Sequence, residues 1–211
     1  MIMRKTLCVC LVLVLCLFAT GYAEEASVNV RELFGTIENG AYENKLLGLG
    51  FDVVGWHGYN KQAQMKAEEI TFSEDLIEEL KKTGGVTLLE IKAEDGSGNI
   101  NINVGDYGNV ASIIEIIGLA DFLQMSEDSY KETYSKIGIE NLELEYAKTS
   151  IEDQEYDGLR ISGDLDGEHM NVRQMMFIRG NYMLTIVVMA PEETMVEDIL
   201  GRFYCLKDSE E

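Results

Sequence analysis

Cysteine, proline, histidine and tryptophan are scarce in this sequence. Its 211 residues include four cysteines, two histidines, one proline and one tryptophan. Cys8, Cys10 and Cys16 lie close to the N-terminus, so the rest of the chain has Cys205 alone and no partner for an internal disulfide. We expect Cys205 to pack as a small hydrophobic residue. With a single proline and no Ser- or Pro-rich stretch, the chain shows no sign of a linker between two domains.

The sequence also lacks the common catalytic and nucleotide-binding motifs. It contains no Gly-x-Ser-x-Gly elbow, no His-Glu-x-x-His pair, no P-loop and no dinucleotide-binding fingerprint. Neither His57 nor His169 is placed by its sequence context beside Cys205, as a nucleophilic cysteine would require. We therefore predict no catalytic residue and no cofactor, and we expect that the protein is not an enzyme.

The segment 1–23 has the three parts of a secretory signal peptide. Arg4 and Lys5 form a basic start, residues 7–18 form an uncharged apolar run, and small residues precede a cleavage point after Ala23. The apolar run is shorter than the roughly 20 residues that span a bilayer. We predict a secreted or extracytoplasmic protein with no transmembrane helix after cleavage.

A lipid anchor is the less favoured alternative for this segment. A bacterial lipoprotein signal places a small residue before the modified cysteine. Leu15 stands before Cys16, and the apolar run continues past it. Lipid anchoring through Cys16 is therefore disfavoured.

The charge of the chain narrows the range of partners. The formal net charge is −21, and removal of the signal peptide, which holds two basic residues and no acid, makes it −23. Such a surface repels nucleic acid and anionic lipid. We expect a protein or a small molecule as the partner, and no nucleic acid.

Hydrophobic periodicity predicts an α+β domain over residues 35–206, after a flexible segment at 24–34 and before an acidic tail at 207–211. Strands separated by helices, without strict alternation, indicate one antiparallel sheet, with helices on both faces. A helix is predicted between Gln62 and Thr83. In residues 99–104, three asparagines alternate with apolar residues, which predicts a hairpin strand with one solvent-exposed face.

Residues 109–125 form the most apolar predicted helix. Such a helix is usually buried, although a face turned toward a partner or ligand is the alternative. A shorter helix is predicted to begin near Ser126 or Ser129, where Ser129 and Glu132 fit a capping box, and to end at Gly138.

The last third of the chain predicts a meander of strands. Asp166-Gly167 and Gly180-Asn181 have the composition of tight hairpin turns. Residues 182–189 are apolar on both faces, which predicts a central strand. A final helix is predicted from Pro191 through Leu200 and Phe203.

Two segments resemble a known group of proteins. Tyr42-Glu-Asn44, Gly48, Phe51 and Gly55-Trp56 are similar to the opening of bacterial secreted or lipid-anchored domains with the PsbP/Mog1-like fold. The ending, Glu197-Asp-Ile-Leu200 leading to Phe203 after two long strands, is similar as well.

The resemblance covers residues 35–206 and has one departure, since Val54 stands where that group usually has proline. It implies a sheet with helices on both sides and a non-catalytic accessory or binding role. It supplies no catalytic residues.

Two groups of residues are candidate sites. Trp56, His57, Tyr59 and Asn60 follow a predicted strand in what reads as a loop, where aromatic and amide groups often serve recognition. The alternative for Trp56 is a place in the core.

The second group is Asp164, Asp166, Glu168 and His169, which could trap a divalent ion. The alternative is an ordinary hairpin turn at Asp166-Gly167.

The leading hypothesis for function is a non-catalytic extracytoplasmic binding or accessory domain of the bacterial envelope. Two alternatives stay open. One is a hydrolase-type enzyme that uses the carboxylates of Asp164, Asp166 and Glu168. The other is a weak divalent-cation binder.

Overall fold

The computed structural model describes residues 35–60, 82, 85–93 and 95–206, and for residues 57–60 the description covers the backbone. The predicted signal peptide, the segment 24–34, the tail 207–211 and nearly all of the predicted helix at 62–83 lie outside these residues.

The described residues form eleven strands and four helices. The strands are β1 (Thr36–Glu38), β2 (Ala41–Asn44), β3 (Leu49–Asp52), β4 (Trp56–Asn60), β5 (Gly85–Ala93), β6 (Asn99–Asp106), β7 (Glu140–Ile151), β8 (Gln154–Leu165), β9 (Glu168–Arg179), β10 (Tyr182–Ala190) and β11 (Phe203–Cys205). The helices are α1 (Asn109–Ile117), α2 (Leu119–Met125), α3 (Glu127–Lys136) and α4 (Glu193–Leu200).

All strand pairs among the described residues are antiparallel, which confirms the predicted α+β class and the antiparallel pairing. The strands form two sheets where the sequence predicted one. The large sheet has the order β4-β5-β6-β10-β9-β8-β7, and the small sheet has the order β1-β2-β3-β11. The small sheet joins the start of the described chain to its end, because β11 pairs with β3.

The central strand β10 separates two hydrophobic clusters. Leu184, Ile186 and Val188 belong to one cluster, which we call the first core; it also contains residues of the small sheet and of α4. Met183 and Val187 belong to the second core, together with residues of α1, α2 and α3. Successive side chains of a strand point to opposite faces, so β10 supplies both cores.

The predicted hairpins are confirmed. Asp166 and Gly167 connect β8 to β9 with φ of 55° and 82°, the positive values of a type I′ turn. Gly180, with φ of 58°, begins the two-residue connection from β9 to β10. The strand predicted to be central pairs with β6 on one side and with β9 on the other.

The predicted exposed face of residues 99–104 is wrong. Asn99, Asn101 and Asn103 are exposed by 7%, 5% and 1% respectively. The reason is that the asparagines lie on the second-core face of the sheet, where Asn101 pairs with Val187 and Asn99 with Met189 of β10. The Asn103 Oδ1 accepts a hydrogen bond of 2.8 Å from the hydroxyl of Thr87 on β5, which satisfies one of these buried amides.

The prediction of one buried helix over residues 109–125 is also wrong. The helix is broken at Gly118, whose φ of 91° only glycine adopts readily. Ala111, Ile114 and Leu123 are buried, whereas Ile113, Ile116, Ile117 and Met125 are exposed. The apolar residues of α1 therefore occupy more of the helix surface than the part that packs against the sheet.

Two smaller expectations are corrected. The helix α3 begins at Glu127, so Ser129 lies inside it and forms no capping box, and Ser126 occupies the N-cap position. The last predicted helix ends at Leu200, and Phe203 belongs to the strand β11. Gly201, at the C-cap, closes the helix with a hydrogen bond to the Glu197 carbonyl.

A buried arginine ties α4 to the large sheet. Arg173 on β9 is 8% exposed, and its guanidinium binds the carboxylates of Glu193 and Glu197 on α4. Arg160 on the neighbouring strand β8 also lies near Glu193, with 3.5 Å between Nη2 and Oε1. A buried guanidinium must keep its partners to avoid a large desolvation cost, so this pairing orients the helix.

The two hairpins β7–β8 and β9–β10 approach each other closely at Gly158. A Cβ atom there would lie 1.7 Å from the Gln174 carbonyl oxygen on β9. The backbones touch at this point because glycine has no side chain.

We expect the substitution Gly158→Ala to lower the free energy of unfolding by about 3 kcal/mol, because the new methyl group must push the two strands apart. Chemical denaturation of the purified protein measures this. The control is Gly201→Ala, where Cβ would have an ordinary contact of 3.5 Å; we expect a change within about 1 kcal/mol. Equal stability of the two variants would contradict the close approach.

Candidate functional site

Trp56 packs against the first core. Its ring meets Phe51 edge-on, with 5.5 Å between the ring centroids and an interplanar angle of 87°. The Arg202 guanidinium lies 5.6 Å from the centroid of the Trp56 ring. The side chain is half-buried, and its contacts are those expected if Trp56 packs in the core, which is the alternative to a recognition role.

The segment that holds the other candidate residues is a strand, not the predicted loop. Residues 56–60 form β4 at the edge of the large sheet, where His57 pairs with Lys92, Tyr59 with Glu90 and Asn60 with Leu89. The side chains of His57, Tyr59 and Asn60 lie outside the described residues. Their recognition role remains a prediction.

The structure brings together two of the four predicted metal ligands. His169 Nδ1 lies 2.8 Å from Asp164 Oδ1 across the β8–β9 hairpin, and Asn141 Nδ2 donates to Asp164 Oδ2 at 2.6 Å. The hydrogen bond from Asn141, and after it the one from His169, holds the pKa of Asp164 below its ordinary value. Asp166 and Glu168 are exposed at the turn.

No group of three or more His, Cys, Asp or Glu side chains within the described ranges is arranged to hold a metal ion. Both carboxylate oxygens of Asp164 already accept hydrogen bonds from neighbouring side chains.

A different site lies where the large sheet divides. The pairing of β8 with β9 ends at Gly158 and Met175. Beyond that point, residues 154–157 stay paired with β7, and residues 176–179 stay paired with β10. We call this opening between the two hairpins the fork.

The fork contains a cavity of about 380 Å³. Residues from three places line it: Glu155–Asp157 of β8, Met176–Arg179 of β9, and Ile114, Glu115, Gly118 and Leu119 at the junction of α1 with α2. Tyr156 and Phe177 contact each other across the fork, with 5.4 Å between their ring centroids. Both rings pack with the first core, whereas Ile114 and Leu119 pack with the second, so the cavity is bordered by both faces of the sheet.

Acidic groups predominate around the cavity. Glu115, Glu155 and Asp157 line it, and Arg179 is the one basic residue among the described residues of the lining. Arg179 donates from Nε to the Leu46 carbonyl and from Nη1 to the Ile178 carbonyl, both at 2.8 Å. Those bonds direct its guanidinium toward the backbone. Glu115 is exposed to solvent, and the exposed Glu155 carboxylate accepts a hydrogen bond of 2.9 Å from Lys148 Nζ.

Tyr146 fixes the third carboxylate. Its hydroxyl donates to Asp157 Oδ1 at 2.6 Å. Burial, and then the charged Asp157 carboxylate beside it, raise the pKa of Tyr146 to about 12. The tyrosine therefore stays protonated and acts as a donor that holds Asp157 in place at neutral pH.

Next to the cavity, α1 exposes a row of isoleucines. Ile113 and Ile116 are 54% and 83% exposed, and Ile117 is 36% exposed. Spacings of three and four residues place them on one side of the helix. We call these three residues the isoleucine face; Ile114 and Gly118, which line the cavity, point to the other side of the helix.

Sequence reasoning did not predict the fork, and it predicted the isoleucine face only in part. The fork depends on the register between two hairpins, which no local pattern encodes. The unusual apolar content of residues 109–125 did signal an excess of isoleucine, and exposure was considered for it only as the alternative.

Comparisons with known proteins give no family. No family model matches the chain, and no curated protein is similar to it. One similar solved structure comes from Bacteroides thetaiotaomicron VPI-5482, with 12% identity, a TM-score of 0.38 and coverage of 82% of this chain and 51% of that one.

Another similar structure is a Pseudomonas aeruginosa protein of unknown function, described as a candidate regulator. It has 12% identity and a TM-score of 0.28, with coverage of 44% of this chain and 58% of that one. The present chain thus spans between half and three fifths of these two neighbours.

None of the helices in the described part of the chain is long and apolar enough to cross a membrane.

We expect the substitution Asn141→Ala to raise the pKa of Asp164 toward its ordinary value, because the amide donor that stabilises the charged carboxylate is lost. Carboxyl carbon chemical shifts recorded across an acid titration measure this. The folded-state pKa is depressed, so the stabilisation is present above the ordinary pKa and is lost as the pH falls through the lowered value.

The matched control is Asn171→Ala, which removes an amide that donates to the Pro191 carbonyl instead. It should leave the titration of Asp164 unchanged. If both variants shift that titration equally, the Asn141 contact does not determine it.

Proposed function

We propose that this protein is a non-catalytic extracytoplasmic binding or accessory domain, and that the isoleucine face is its binding site. The exposed isoleucine face is the observation that carries the proposal. Large apolar side chains that adjoin one another on a protein surface are typical of interaction sites.

The energetics of the isoleucine face favour a protein partner. Burial of a fully exposed isoleucine stabilises a complex by about 1.5–3 kcal/mol, and Ile116 is 83% exposed. Ile113 and Ile117, which are 54% and 36% exposed, extend this apolar centre on the same side of the helix. The exposed Ser112 and Glu115 of α1 lie beside it, and polar residues around an apolar centre are the arrangement found at protein interfaces.

The location and fold are part of the same proposal. The basic, apolar and small-residue parts of segment 1–23 support export to the bacterial envelope. The PsbP/Mog1-like architecture, with helices on both faces of the sheet, rests on the resemblance of Tyr42-Glu-Asn44 and Gly55-Trp56 and on the packing of α4 in one core and of α1–α3 in the other.

The two alternatives have less geometric support. The carboxylates of Asp164, Asp166 and Glu168 lie at the exposed turn of the β8–β9 hairpin, whereas the cavity is at the opposite end of these strands. A hydrolase needs its carboxylates to converge on one concave site. A cation binder would need further ligands beside Asp164.

The test uses site-specific photo-crosslinking in the envelope of the producing organism. With p-benzoylphenylalanine at position 116, we expect one predominant protein adduct, because the probe replaces an exposed residue at the centre of the apolar face. With the probe at position 143, which is exposed on β7 away from α1, we expect no such adduct.

A competition experiment completes the test. Excess wild-type protein should abolish the adduct, whereas excess Ile116→Asp should not, with unchanged thermal stability because Ile116 packs little. Equal labelling from positions 116 and 143, or equal competition by the two proteins, would contradict the proposal.

A further inference from the structure

We propose that the outer edge of β7 binds an extended polypeptide segment by antiparallel strand addition, and that this segment alternates basic and apolar residues. Within the described residues, β7 is the last strand of the large sheet and has β8 as its one neighbour. The site is separate from the isoleucine face, which lies on α1, and its ligand is a different one. The edge would recognise that ligand by its backbone and by two exposed glutamates.

The backbone of β7 presents hydrogen-bonding groups that point out of the sheet. The turn from β7 to β8 has two residues, so Ile151 and Gln154 on either side of it form a hydrogen-bonded pair. Along an antiparallel strand, residues that bond to the neighbour alternate with residues whose N–H and C=O groups point the other way. Glu145 therefore bonds to β8, whereas Leu144 and Tyr146 direct their backbone groups outward.

These outward groups face no other strand in the described part of the chain. There, residues 142–150 have no backbone hydrogen bond beyond those of the pairing with β8. Because β7 ends the sheet, an added strand continues it and no existing strand pair has to open. Open strand edges are templates for pairing with an extended segment.

The side chains of β7 alternate between two faces, and this alternation specifies the ligand. Leu142, Leu144 and Tyr146 pack with the second core on one face, where Leu142 and Tyr146 are only partly buried. Glu143 and Glu145 are exposed on the other face. Residues directly opposite each other on paired strands point to the same face. The matching segment therefore has apolar side chains that extend the second core and basic side chains that pair with the two glutamates.

The two glutamates are available for such pairs. Among the described residues, no cation lies within salt-bridge distance of Glu143, and Glu145 has one long contact, 3.9 Å between its Oε1 and Arg160 Nη1. Lys148, the one basic residue of β7, is already paired with Glu155 at 2.9 Å.

The charge of the edge selects the kind of strand that can be added. Opposite charges across two strands stabilise their pairing, and like charges directly opposite each other weaken it. A second copy of this chain would bring the same acidic strand and a net charge of −21, so it is repelled. A basic segment is attracted, which makes it the favoured occupant.

The probe is a fluorescein-labelled hexapeptide that alternates valine and lysine, titrated into the purified protein with anisotropy as the readout. We expect saturable binding, with the valines opposite Leu144 and Tyr146 and their amides bonded to the edge. Methylation of the valine amides should weaken binding by at least about tenfold, because it removes those donors. Methylation of the lysine amides, which point away from β7, is the matched control and should weaken binding much less.

Hydrogen exchange locates the peptide on β7. The outward amides of Leu144, Tyr146 and Lys148 should gain protection when the peptide is bound. The amides of Glu145 and Ala147, which already bond to β8, should change little. Protection that appears elsewhere in the protein, without a gain at the outward amides, overturns the proposal.

Charge variants test the selection of a basic segment. Glu143→Gln and Glu145→Gln should each weaken peptide binding by about threefold, as expected for exposed charge pairs. The matched control Glu38→Gln removes an exposed glutamate from β1 of the small sheet and should bind like the wild type. An equal loss in all three variants would show that net charge alone attracts the peptide, and would overturn recognition by the edge.

The outcomes separate this proposal from the role of the isoleucine face. Equal effects of the two methylations overturn strand addition. An adduct at position 116 without any peptide binding overturns strand addition and leaves the proposed binding function standing. Peptide binding at β7 with protection of its outward amides, but without an adduct at position 116, supports strand addition and overturns the role of the isoleucine face.

Discussion

The rest of the structure depends on the burial of β10 on both faces. Consecutive residues of this strand enter different cores, Met183 and Val187 the second and Leu184 and Ile186 the first. The first core also contains residues of the small sheet and of α4, and the second contains residues of α1–α3. Because β10 lies at the centre of the sheet and contributes to both cores, as β9 does through Met175 and Met176, a substitution that moves β10 disturbs both of them.

The features that could be predicted from the sequence are those that a few neighbouring residues determine. Asp166-Gly167 and Gly180 specify tight turns through their backbone conformations, and the unbroken apolar run of residues 182–189 identifies a central strand. The α+β class and the antiparallel pairing follow from these features. The small sheet could not be predicted, because β11 pairs with β3 from the opposite end of the described chain, and no local pattern specifies so distant a partner.

The candidate site was less predictable because it depends on the limits of burial and pairing. The apolar content of residues 109–125 predicts burial, but it does not show how much of the segment the sheet can cover. In the structure the segment is divided at Gly118, and only one side of α1 packs. The fork arises because two hairpins part at Gly158. Neither the glycine nor the carboxylates near it form a motif that sequence analysis would select.

The buried asparagines of β6 have a consequence for folding fidelity. Ile100, Ile102 and Val104 point into the first core, and Asn99, Asn101 and Asn103 point to the other side. A slip of one residue would exchange the two sets and place three amides in the first core, away from partners such as the Thr87 hydroxyl, at a cost of several kcal/mol. The alternation thereby favours one alignment of the strand between β5 and β10.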